Sequence, residues 1–127
     1  MRKEVGLWID HRQAVVVIVT DEGEEIRRIT SDMEKHTRFA GRSSQDRSRE
    51  DTRDRRFGEH LRRYYDDVIA HIRDAESIQI FGPGEAKAEL EQRIESGALK
   101  GRIVAVETVD KMTDRQIAAK VRQRFRA

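Results

Sequence analysis

The chain has 127 residues, room for one domain, with 39% charged and 36% hydrophobic residues, so its core must be thin. No apolar run approaches the roughly 18–20 residues of a membrane span, and the absence of Cys excludes disulfides, thiol catalysis and cysteine-based zinc sites. The formal net charge of +2 hides alternating blocks: residues 1–34 carry 5 basic and 8 acidic groups, 35–63 carry 10 and 5, 64–101 carry 4 and 8, and 102–127 carry 7 and 3. A polarised surface results if the fold brings the two basic blocks together. Met1-Arg2-Lys3 leads into a strand-like segment with no small-residue cleavage site, so no secretory signal and a cytoplasmic location are expected.

Val5-Gly6-Leu7-Trp8-Ile9 reads as a first strand, and Asp10-His11-Arg12-Gln13 as a hairpin connection. Ala14 to Val19 is a β-branched run, expected to be buried on both faces. Asp21-Glu22-Gly23-Glu24 supplies a turn with a glycine for positive φ, and Glu25 to Thr30, with Ile26 and Ile29, reads as an edge strand. These three strands form a meander. Between Phe39 and Phe57 there is no large apolar residue. Such a segment cannot offset its own ordering entropy, so a mobile basic loop over about 35–55 is expected, with helix an option near its C-terminal end. A loop of that length is uncommon in a compact domain and often functional.

From Arg56 the period becomes helical: Phe57, Leu61, Tyr64, Tyr65, Val68, Ile69 and Ile72 recur at spacings of three and four. Ser77 to Phe81 is a fourth strand. Gly82-Pro83-Gly84 turns into a second helix with Ala86, Leu90 and Ile94 on one face, ending at Gly97. Arg102 to Thr108 is a fifth strand. Thr113-Asp114-Arg115-Gln116 has the capping-box pattern ahead of a last helix with Ile117, Ala118, Val121 and Phe125 on one side. The order β-β-β-α-β-α-β-α predicts one α/β domain over 1–127 with a ribonuclease-H-like, five-stranded mixed sheet and helices on both faces. The expected core is Leu7, Ile9, Val15, Val17, Val19, Leu61, Val68, Ile72, Ile78, Ile80, Leu90, Val104, Val106, Ile117 and Val121.

Nucleases of that fold hold metal ions with clustered carboxylates. Asp10 and Glu59 are in suitable places, but the fourth strand offers none, and Asp10 is more simply a turn residue bonding the hairpin backbone. His11, His36, His60 and His71 show no metal-ligand spacing, so neither a metal nor a cofactor is expected. The amides after Gly82-Pro83-Gly84, with Lys87, resemble an anion site, but Glu85 would repel phosphate and a tight glycine turn explains the motif better. The strongest internal signal is the arginine-rich segment with Lys35, Arg38, Arg42, Arg47, Arg49 and Arg53. Arginine suits bidentate phosphate contacts, whereas Asp46, Glu50, Asp51 and Asp54 would equally make a solvated, self-paired loop, and charge alone does not separate the two.

Gly6-Leu7-Trp8-Ile9-Asp10, Lys35-His36-Thr37-Arg38, Arg55-Arg56-Phe57 and Gly82-Pro83-Gly84-Glu85-Ala86-Lys87-Ala88-Glu89-Leu90 occur in an order and spacing that resemble the middle domain of archaeal and eukaryotic class 1 release factors and of Pelota, the ribosome-rescue factor. The chain looks like a bacterial single-domain relative of that group. In the release factors the long loop carries a Gly-Gly-Gln tripeptide that assists hydrolysis of the peptidyl-tRNA ester. Here the stretch reads Phe39-Ala40-Gly41-Arg42-Ser43-Ser44-Gln45, without the tripeptide. The resemblance therefore implies a non-catalytic RNA- or ribosome-binding protein, with rRNA or tRNA met by Lys35, Arg38, Arg42, Arg47, Arg49 and Arg53. The alternatives are a peptidyl-tRNA ester hydrolase acting through Gln45, and a protein–protein module or homo-oligomer.

Overall fold

The meander forms as the alternation of its residues dictates. In the computed structural model β1 (Glu4–Ile9), β2 (Gln13–Thr20) and β3 (Gly23–Thr30) pair antiparallel in sequence order, with Leu7 opposite Val16 and Val17 opposite Ile26. The structure describes residues 3–31 and 48–125, with residues 48–57 given by their backbone alone. Gly23, at a φ of 144°, makes the tight turn into β3. The chain continues through α1 (Ser48–His71), β4 (Ser77–Gly82), α2 (Ala86–Glu95), β5 (Ile103–Thr108) and α3 (Asp114–Phe125). β4 runs parallel to β1 on the side away from β2, and β5 runs parallel to β4. The sheet order is β3-β2-β1-β4-β5, the expected five-stranded mixed sheet with β3 at an edge.

Helices cover both faces. Val5, Leu7, Ile9, Val16, Ile18, Ile78 and Ile80 pack with Tyr64, Tyr65, Val68 and Ile72 of α1 and Leu90 and Ile94 of α2. Trp8, Val15, Val17, Val19 and Phe81 point the other way and meet Ile117, Ala118 and Val121 of α3. The run from Ala14 to Val19 is buried throughout because its alternate residues feed two separate cores. The capping box forms: Thr113 Oγ1 accepts the Gln116 amide at 3.2 Å, and Gln116 Oε1 accepts the Thr113 amide at 2.9 Å.

Two expectations need correction. Val104 is 51% exposed and is not core. Ile78 faces Ile103 whereas Gln79 faces Ala105, so Val104 is the extra residue of a bulge and strict alternation fails there. Leu61 and Val106 are half-buried at the margin of the first core. The second correction is where α1 begins. It starts at Ser48, so residues 48–55 belong to a helix and not to a loop. Apolar periodicity is absent there, but Glu50 and Asp51 lie near the positive helix end and precede Arg53 and Arg55 by three and four residues, a spacing that favours helix.

Candidate functional site

The arginine-rich segment leaves the sheet from a firmly held root. The Ser31 amide donates to the Arg12 carbonyl at 2.9 Å, and Ser31 Oγ donates to the His11 carbonyl at 2.7 Å. The Ser31 carbonyl accepts from His60 Nε2 on α1, so the helix that ends the segment is tied to the point where the segment begins. Beside this root sits the β1–β2 turn. Asp10 Oδ1 accepts the amides of Arg12 and Gln13, both at 2.8 Å, and the Asp10 amide donates to the Gln13 carbonyl at 3.0 Å. Asp10 is thus a turn residue, as its position suggested.

Two tyrosines fasten the turn to the helices. Tyr64 donates its hydroxyl to the Asp10 carbonyl at 3.0 Å. Tyr65 donates to Glu89 Oε1 on α2 at 2.5 Å, and His11 Nε2 reaches the same oxygen at 3.0 Å. Burial pushes both phenols well above the ordinary range; the nearby Asp10 charge adds to this for Tyr64, and the bond to Glu89 and its charge add to it for Tyr65. Both are therefore donors at neutral pH. The cluster of His11, Glu89 and Tyr65 joins residues far apart in sequence, and no local motif announces it.

Of the residues expected to contact nucleic acid, Lys35, Arg38, Arg42 and Arg47 lie outside the described residues, as does Gln45. Arg49 and Arg53 lie one turn apart on the backbone of α1. Glu59 is exposed, and among the described residues no three His, Asp or Glu side chains group to hold a metal ion. Lys87 donates to the Gly84 carbonyl and so serves its own turn. Among the described residues the two basic blocks are not brought together: α1 and α3 lie on opposite faces of the sheet. In the second block Arg122 pairs with Glu24 at 2.6 Å and Lys120 with Glu107 at 2.7 Å. Lys120, with Arg124 and Gln79 adding to it, holds the Glu107 carboxyl below its ordinary range.

No protein-family model and no curated protein matches the sequence. Among solved structures, Pelota of Archaeoglobus fulgidus is similar over 98% of this chain, with a TM-score of 0.59 and 17% identity. Pelota of Thermoplasma acidophilum is similar over 96%, with a TM-score of 0.57 and 15% identity. Identities this low establish a likeness of fold. This chain spans 32% of the length of each Pelota chain. The archaeal translation termination factor aRF1 aligns over 93% of this chain and 37% of its own at 14% identity, and its TM-score of 0.41 carries no weight.

Proposed function

We propose that this protein is a non-catalytic RNA- or ribosome-binding module related to the translation release and rescue factors. The observation that carries the reading is the likeness to Pelota along 98% of the chain, in a sequence that puts an arginine-rich segment between β3 and α1. Lys35, Arg38, Arg42, Arg47, Arg49 and Arg53 are the contacts, with phosphates of rRNA or tRNA as their targets. The clamp on Ser31 and the helical backbone from Ser48 support this, because fixing both ends of a binding segment lowers the entropy it loses on binding. No described helix is long and apolar enough to cross a membrane.

Co-sedimentation with bacterial ribosomes across a salt series tests the reading. Binding that weakens steeply as salt rises, with no peptide released from peptidyl-tRNA, is the expected result. Peptide release that is lost in Gln45→Ala and kept in Arg49→Ala would replace it with the hydrolase. Absence of both binding and release would leave the protein–protein module.

A further inference from the structure

β3 closes one side of the sheet, and among the described residues no strand pairs with its outer edge. The phase of its ladder is set by the Ser31 amide, which donates to the Arg12 carbonyl. Antiparallel pairs alternate between bonded and non-bonded, so Ile29, Arg27 and Glu25 turn their backbone groups toward Ala14, Val16 and Ile18 of β2. Glu24, Ile26 and Arg28 turn theirs outward. Ile26, in the middle of this edge, leaves 46% of its surface exposed.

Around Ile26 the strand reads Glu24-Glu25-Ile26-Arg27-Arg28, acids before it and bases after it. Exposed charges usually blunt an edge strand against further pairing. Here the order of signs reverses that effect for one geometry. An antiparallel copy centred on Ile26 sets Glu24 opposite Arg28, Glu25 opposite Arg27, and Ile26 opposite its own copy. Directly opposed residues share a face: Glu24, Ile26 and Arg28 lie on the α3 side with Val19, Val17 and Val15. Moving the centre to Glu25 or to Arg27 sets like charges against each other, so a single register is selected. Within the chain Arg27 holds Glu25 at 3.0 Å, Arg28 reaches Asp114 at 2.7 Å and Arg122 reaches Glu24 at 2.6 Å. Such exposed pairs hold weakly, and each carboxylate or guanidinium can serve a second partner.

From this pattern we infer that β3 pairs antiparallel with β3 of a second copy of this chain, joining the two sheets across a two-fold axis beside Ile26. Residues 23–29 then face one another, nearly the whole strand. RNA would be repelled by the acidic half of this edge, and a partner of one sign by the half that matches it, which decides for self-pairing. The inference rests on β3 alone and stands whether or not the arginine-rich segment binds RNA.

Sedimentation velocity of the full chain, from micromolar to millimolar concentration, tests it. The mass should rise from 14.8 kDa toward twice that value, and hydrogen exchange at the Ile26 amide should slow as concentration rises. Glu25→Arg and Arg27→Glu should each raise the dimer dissociation constant about tenfold, because two unlike pairs become like pairs. Mixing these two variants in equal amounts should restore association, since their edges then carry opposite signs. Ile26→Lys, which opposes two ammonium groups at the axis, should also weaken the dimer. Circular dichroism of each variant at low concentration confirms folding. A single 14.8 kDa species at every concentration would overturn the inference. So would a dimer insensitive to all three substitutions, a mixture no more associated than either variant alone, or exchange at Ile26 that ignores concentration.

Discussion

Replacing Gly6 with alanine probes how closely α3 lies on the sheet. A Cβ on Gly6 would stand 2.9 Å from Val121 Cγ1 and nearer still to Cγ2, where carbon atoms prefer roughly 3.5–4.0 Å. Neither side yields readily. Gly6 is held between Val17 of β2 and Gln79 of β4, and Val121 is fully buried. Overpacking of this kind costs about 1–3 kcal/mol, and loss of glycine's freedom in the unfolded chain returns roughly 0.4–1 kcal/mol. Gly6→Ala should therefore destabilise by about 1–2 kcal/mol and lower the melting temperature by roughly 5–10 °C. Urea unfolding followed by the fluorescence of Trp8, buried in the same cluster as Val121, measures it. The coupling is the sharper part. Val121→Ala removes the two methyl groups that collide and leaves only its Cβ, 3.1 Å away, so Gly6→Ala should cost less in that background, a coupling of about 1 kcal/mol. A Gly6→Ala variant within about 0.5 kcal/mol of wild type, a threshold set by ordinary surface substitutions, would refute the reasoning. So would a cost that persists unchanged beside Ala at 121.

Asp10→Ala should lose about 1–2 kcal/mol in the same urea assay, because two amides lose the oxygen they share, whereas Asp10→Asn keeps an acceptor and should lose less. Asp10→Asn should also leave RNA affinity within a factor of about two, well under the tenfold that roughly 1.4 kcal/mol produces, as filter binding would show. Tyr64 and Tyr65 are the chain's two tyrosines, and the fold raises both phenol pKa values above the unfolded value near 10. The stability they contribute is complete below about pH 10 and declines above it, as the unfolded state releases protons the native state keeps. Phenolate absorbance should accordingly rise only together with loss of the circular dichroism signal; ionisation with the fold intact would contradict the hydrogen bonds of both phenols. Gly58→Ala should raise stability by about 0.5–1 kcal/mol, since among the described residues nothing lies within 4 Å of its Cβ, and a loss in chemical denaturation would show a constraint on that turn of α1.

Period and turn chemistry made most of the fold legible. The β-branched run at Val15 to Val19, the stripe from Tyr64 to Ile72 and the Thr113 capping box all act locally, and each formed where its pattern placed it. Val104 misled because a bulge is a fault in register, which no residue in Ile103-Val104-Ala105-Val106 signals. The start of α1 was hidden because its first turns carry charge in place of apolar period, although acids at Glu50 and Asp51 near its N-terminus are a helix signal that periodicity overlooks. The junction of His11, Tyr65 and Glu89 depends on which side of the sheet each helix occupies. That is decided by the crossovers and not by spacing, so the root of the arginine-rich segment emerged only with the fold.

The central claim is that arginines between β3 and the first turns of α1 bind RNA phosphates. The salt dependence of RNA binding by wild type, beside a variant with Arg42, Arg47 and Arg49 all changed to alanine, tests it most directly. The account predicts weaker binding by the variant at every salt concentration, with the slope of log K against log salt flattened by about 0.7–0.9 for each phosphate no longer neutralised, and little change in thermal stability, as single surface charges contribute little to it. Equal affinity and equal slope in the two proteins would contradict it and leave the arginines as a solvated surface.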